Sequence, residues 1–184
     1  MDIKESQIID NLKASGLACP KLAGNIDEQS LLAVIEYFKA AELASGRFDS
    51  LDKVIKRYTH WACQDIALAL HFIYSGSDKQ KAIYISPSVA VSGFARLPTC
   101  HYALAFDGHF YDILGKHTPE EIEEYCKHEF CWQGAKFKPL TEADLSKYAG
   151  VTDPNFDNPV VVYCTQQILQ NNPHLAAGCA LSQK

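Results

Sequence analysis

The sequence predicts an α+β domain in which helices pack on one side of a mainly antiparallel sheet. Three observations carry this expectation. Residues 1–58 place apolar side chains at helical spacing; the run from Ala62 to Tyr74 is apolar almost all round; and from Ala82 onward the period shifts toward the alternation of strands, with helices returning near the end. The parts read as a helical N-terminal part (1–58), a core of helix plus sheet (59–138) and C-terminal helices with a frayed tail (139–184), all within one domain.

In the first part, Ile8, Ile9 and Leu12 lie on one face of a helix from Ile3 to Ala14, and Gly16, Cys19-Pro20 and Gly24-Asn25 end it. Asp27 is placed to cap a helix carrying Leu31, Val34, Ile35 and Phe38 as far as Gly46. Ser50 is placed to cap a segment through Leu51, Val54, Ile55 and Tyr58. The next helix has almost no polar face from Ile66 to Ile73, the mark of an element covered on most sides. It is expected to begin between Tyr58 and Ala62, with Thr59 as its N-cap, although no Gly or Pro separates it from the segment before.

Beyond that helix, Ala82–Ser86 reads as a strand closed by Pro87, and Val89–Phe94 as a weaker one. His101–Phe106 and His109–Leu114 flank Asp107-Gly108, a strong signal for a hairpin with a type I′ turn, which needs positive φ at both turn positions. Thr118-Pro119-Glu120-Glu121 opens a helix with a capping box and Pro in its first turn. Phe130–Phe137 reads as a strand, Thr141–Tyr148 as a short helix, and Asn158-Pro159 as the start of a last helix.

Composition narrows the function classes. The chain has 184 residues, 47% hydrophobic and 21% charged, with net charge −5 and no Lys/Arg cluster, which argues against disorder and against a nucleic-acid partner. No apolar run reaches the roughly 18 to 20 residues of a membrane span, and the polar opening does not read as a signal peptide. Seven cysteines, an odd number, suggest free thiols and synthesis in a reducing cytoplasm, with export by a signal-independent route still open.

One cysteine stands out by position. At a helix start, the dipole and free backbone N–H groups favour a thiolate at Cys63 and could hold a developing oxyanion. The hairpin supplies the other groups. A two-residue loop at Asp107-Gly108 sets Phe106 opposite His109, Ala105 opposite Phe110, Leu104 opposite Tyr111, Ala103 opposite Asp112 and His101 opposite Leu114. Alternation then puts His101 and Asp112 on one face as diagonal neighbours, with the small Ala103 leaving room between them. A carboxylate beside a histidine orients the imidazole and stabilises its protonated form; with a thiol it makes a Cys–His–Asp triad for acyl transfer.

The string Trp61-Ala62-Cys63-Gln64-Asp65-Ile66-Ala67-Leu68-Ala69-Leu70, followed by His101 to Gly115, resembles the core of the papain-like thiol superfamily, closest to its transglutaminase-like and NlpC/P60-like branches. The spacing from Cys63 to His101 and the 11 residues from His101 to Asp112 suit the transglutaminase-like order. The resemblance implies Cys63 as nucleophile, His101 as base and then acid, and Asp112 as orienter, with no cofactor or metal. It does not carry over an oxyanion donor, since Gln64 follows the cysteine; the Cys63 N–H is the default, with His60 or Trp61 as helpers.

Other groups weigh less. Cys126, His128 and Cys131 lack the second ligand pair of a structural zinc site. Asp107 reads as a turn residue, and Asp153, Asn155, Asp157 and Asn158 as a polar loop without the Gly and Glu of a calcium loop. The expected function is hydrolysis or acyl transfer at an amide, isopeptide or thioester carbonyl, as in a peptidase, amidase or deamidase, on a peptide, protein or peptidoglycan-like substrate. The alternative is a non-catalytic binding or immunity-type protein on the same scaffold.

Overall fold

The computed structural model describes residues 4–75, 77–88, 100–146 and 156–175. The expected strand at Val89–Phe94, the loop residues Asp153 and Asn155, and the tail beyond Leu175 lie outside them.

Among the described residues the chain is a mixed helical and antiparallel-sheet structure. Four helices come first: α1 (Glu5–Ala14), α2 (Glu28–Ala44), α3 (Leu51–His60) and α4 (Cys63–Ile73). The strands β1 (Gln80–Pro87), β2 (His101–Phe106), β3 (His109–Asp112) and β4 (Gly115–His117) follow, then α5 (Pro119–Phe130), β5 (Ala135–Pro139), α6 (Glu142–Leu145) and α7 (Pro159–Asn171). The sheet order is β4-β3-β2-β1-β5, every neighbour antiparallel.

Local chemistry sets the ends. Asp27 Oδ1 accepts from the Ser30 N–H at 2.7 Å at the head of α2. Thr118 and Glu121 close their capping box on α5, and Asn158 caps α7 with Pro159 in its first turn. Asp107 and Gly108 take φ of 48° and 75°, as a type I′ turn requires. The ladder runs Phe106↔His109, Ala105↔Phe110, Leu104↔Tyr111, the register that a two-residue loop dictates.

Several expectations need correction. Thr59 does not cap α4: it lies inside α3, its hydroxyl turned back on the Ile55 carbonyl at 3.0 Å, and Ala62 occupies the N-cap without a side-chain bond. His101 is not laddered to Leu114, because β3 ends at Asp112 and the chain turns into β4, pairing Asp112 with Gly115. Phe130–Phe137 is not one strand: α5 continues through Phe130, Cys131 terminates it at φ 56°, and β5 starts at Ala135. The short helix after Thr141 spans Glu142–Leu145, and the last residues of its expected range, Lys147 and Tyr148, lie outside the described residues.

The helices also cover both faces of the sheet, not one. On the first face, α2, α4 and α7 bury Leu31, Val34, Phe38, Leu70, Ile73 and Ile168 against Leu104 and Tyr111. On the second, Ile122, Cys126 and Phe130 of α5 and the nearby Trp132 close over Ile83, Ile85, Ala103 and Phe110. Leu70 and Ile73 are fully enclosed, so α4 is the buried central helix that its composition requires. No helix among the described residues is long and apolar enough to cross a membrane.

A polar network ties the helical layer together. Glu42 of α2 accepts from the Tyr58 hydroxyl and from Arg47. Asn158 donates to the Tyr58 oxygen at 2.8 Å and to Asp65 Oδ2 at 2.8 Å, and accepts from Arg47 at 3.0 Å. Farther along, the Leu22 N–H donates to Asn172 Oδ1 at 2.8 Å, and Asn172 Nδ2 donates to the Pro20 carbonyl at 3.1 Å.

Candidate active site

Helix α3 stops at His60, and Trp61 and Ala62 both send their N–H groups to the Arg57 carbonyl at 3.0 Å. Cys63 is therefore the first helical residue of α4. A helix start leaves its first N–H groups without intrahelical acceptors. Ala62 accepts from the Asp65 N–H at 3.0 Å, while Cys63 and Gln64 N–H take no backbone acceptor among the described residues.

This junction sits at the seam of the two layers, where β2 begins. Cys63 packs with Ala67 and Tyr102, and with the partly buried Tyr84 and Cys100. The His60 ring meets Phe130 of α5 edge-on at 5.3 Å. His101, the first residue of β2, lies between these elements, its ring 6.4 Å from Tyr125 and 6.3 Å from Phe130.

His101 Nε2 donates to Asp112 Oδ2 at 2.8 Å, with both side chains buried. The carboxylate only accepts, so the proton of a neutral ring sits on Nε2 and the lone pair on Nδ1. Nδ1 is buried with no completed hydrogen bond. Burial alone pulls the imidazole pKa down. The hydrogen bond and charge of Asp112, together with the nearby Cys63 thiol, outweigh it, and the net shift is upward. Asp112 moves the other way: burial pushes its pKa up, but the hydrogen bonds from His101 and His117 hold it far below the usual carboxylate range.

His117 is a partner that the sequence did not disclose. Its Nε2 lies 3.2 Å from Asp112 Oδ1, and the Leu114 N–H donates to the same oxygen at 2.7 Å. Asn158 was also missed as a packing element: it read as part of a polar loop, yet it is buried and bonded to Asp65, two residues beyond Cys63. Its one sequence signal was Asn before Pro at a helix start.

The remaining candidates do not converge here as a set. Cys126 lies buried in α5, where desolvation pushes its thiol up to about 12. His128 is exposed and 2.8 Å from Glu124, and Cys131 is exposed beyond the helix end. Asp107 is exposed at the hairpin tip. Trp61 is 65% exposed beside the Cys63 helix start. Two clefts, of about 400 and 370 Å3, lie elsewhere, one at the far end of α4 and the other between α1 and α7.

Comparison with protein-family models, with curated proteins and with solved structures finds no match to this chain.

Proposed function

We propose that the chain is a thiol-dependent hydrolase or acyltransferase of papain-like, transglutaminase-like type, acting through an acyl-cysteine at Cys63. The observation that carries this reading is the state of the His101 ring. Asp112 fixes one nitrogen, and the other is buried, unsatisfied and within the influence of a thiol at a helix start.

The chemistry follows from that tautomer. The Cys63 thiol passes its proton to His101 Nδ1, and Asp112 stabilises the imidazolium. The thiolate adds to an amide, isopeptide or thioester carbonyl, and the open Cys63 N–H is the donor best placed for the oxyanion. On collapse, His101 Nδ1–H protonates the leaving amine or thiol. Water, or an amine acceptor, then attacks the acyl-cysteine and gives a proton to Nδ1; the C–S bond breaks, the acid or amide product leaves, and Cys63 is released as the thiolate beside the His101 imidazolium. No cofactor enters these steps.

A second reading, a binding protein on the same scaffold, is favoured by one observation: both clefts named above lie away from Cys63. A p-nitrophenyl ester separates the two. A stoichiometric burst of p-nitrophenolate, with the acyl mass located on Cys63 and absent from Cys63→Ala, supports the enzyme. Labelling spread over the other thiols, with no burst, refutes it.

A further inference from the structure

An aspartate holding a histidine must itself be held. Rotation about the bond to an sp2 carboxylate is broad, so a single hydrogen bond to His101 does not fix the carboxylate plane. Here Oδ1 receives two donors, the Leu114 N–H at 2.7 Å and His117 Nε2 at 3.2 Å, while Oδ2 faces His101 at 2.8 Å.

The local fold brings His117 there. β3 and β4 pair Asp112 with Gly115 and Phe110 with His117. Residues two apart share a face, so His117 is diagonal to Asp112 across the tight turn. Gly115, directly opposite Asp112, has no side chain to intervene, and its φ of +119° lies where other residues are strained. His117 is partly exposed on the terminal strand of the sheet, where water could have met its needs. It is turned instead onto a buried carboxylate.

We propose that His117 is a positioning residue of the Cys63 site: with the Leu114 N–H it clamps Asp112 Oδ1, so that Oδ2 is presented to His101 Nε2. This rests on the reading of Cys63 and His101 as a reacting pair. It adds a second histidine, acting through the carboxylate and never touching substrate.

The test compares His117→Ala with His117→Gln, whose amide N–H keeps a donor near the place of Nε2. The first readout is the proton resonance of the His101 Nε2–H, assigned by its loss in His101→Ala. It reports the His101–Asp112 bond whether or not the protein turns anything over. The second is the rate of Cys63 alkylation by iodoacetamide at pH 6, resolved from the other thiols by peptide mass spectrometry. In His117→Ala the resonance should move or broaden and alkylation should fall by about 3- to 10-fold, the size of one lost hydrogen bond. In His117→Gln both should return to within about twofold of the parent. Thermal melting confirms that each variant is folded; if His117→Ala is not, His117→Gln and His117→Asn carry the comparison, the shorter amide expected to fail to restore. An unchanged resonance in a folded variant that lacks the donor overturns the proposal. If alkylation is also unaffected by His101→Ala, the Cys63–His101 reading fails independently, while the resonance still decides the role of His117.

Discussion

Asp112→Asn is the most informative single change, because the surrounding donors dictate how the amide must sit. The Leu114 N–H, 2.7 Å from Oδ1, belongs to the main chain and cannot turn away. The asparagine carbonyl must stay there, which directs its NH2 at His101 Nε2. Two donors then face each other, and the ring relieves the clash by moving its proton to Nδ1. That nitrogen can no longer take a proton from Cys63. The charge that stabilises the imidazolium is lost as well. A hydrogen bond to a charged group contributes about 1.5 to 3 kcal/mol, and each ~1.4 kcal/mol is a factor of ten. Cys63 alkylation by iodoacetamide at pH 6 should therefore slow by roughly 10- to 100-fold. Turnover of any substrate should fall by on the order of 10²-fold or more, chiefly in kcat. Asp107→Asn is the control, since Asn-Gly suits the same turn and Asp107 is exposed at the tip. Equal alkylation rates in Asp112→Asn and the parent, with both proteins folded, would refute the tautomer argument.

Cys63→Ala should abolish ester turnover while leaving the melting temperature within a few degrees, checked by a burst assay and circular dichroism. His101→Ala should remove the part of the Cys63 alkylation profile that extends to acidic pH, followed by mass spectrometry from pH 5 to pH 9. The buried pair should also shape stability against pH. Asp112 has a depressed folded pKa, so its contribution is present above about pH 4 and lost as pH falls below that. His101 is raised to about 10, so its contribution is complete below about pH 6.5 and lost as pH climbs from there toward 10. Melting temperature should peak between these limits, and Asp112→Ala should flatten both flanks; an unchanged profile in that variant refutes the linkage. Asn158→Ala strands Asp65, leaves the Tyr58 hydroxyl only its bond to Glu42 and removes a helix cap, at a cost of about 3 kcal/mol read by urea unfolding. A loss below about 1 kcal/mol would mean that the network does not hold α7 to α4.

The hairpin was legible because its signals are local. Asp107-Gly108 fixes the turn, the turn fixes the register, and the register puts His101 and Asp112 on one face. Cys63 at a helix start was legible only in part. Leu51, Val54, Ile55, Tyr58, Ala62 and Ile66 keep helical spacing straight through the break, and no Gly or Pro marks it. The interruption is a tertiary matter: Trp61 and Ala62 leave helical geometry and share one carbonyl, and α4 restarts beyond them with its residues in the core. His117 was illegible because a three-residue strand after a two-residue turn carries no periodicity. The second helical layer was missed for another reason. Ile122, Cys126 and Phe130 announce an apolar stripe on α5 without saying which face of the sheet it covers. Asn158 looked like loop polarity, and only its partners, 93 and 100 residues away, reveal it as a buried joint.

That joint, together with the bonds of Asn172 to Leu22 and Pro20, makes α7 a closing element for the helices that precede it. During synthesis, α2 and α4 leave the ribosome long before α7. In that interval Val34 and Phe38 have no α7 to cover them, and Asp65 has no amide donor from Asn158. Long-range closure of this kind is slow, because loop entropy is spent before the contacts form. Until α7 docks, the layer of α2 and α4 therefore stays open on its apolar side, and it closes only when that helix arrives.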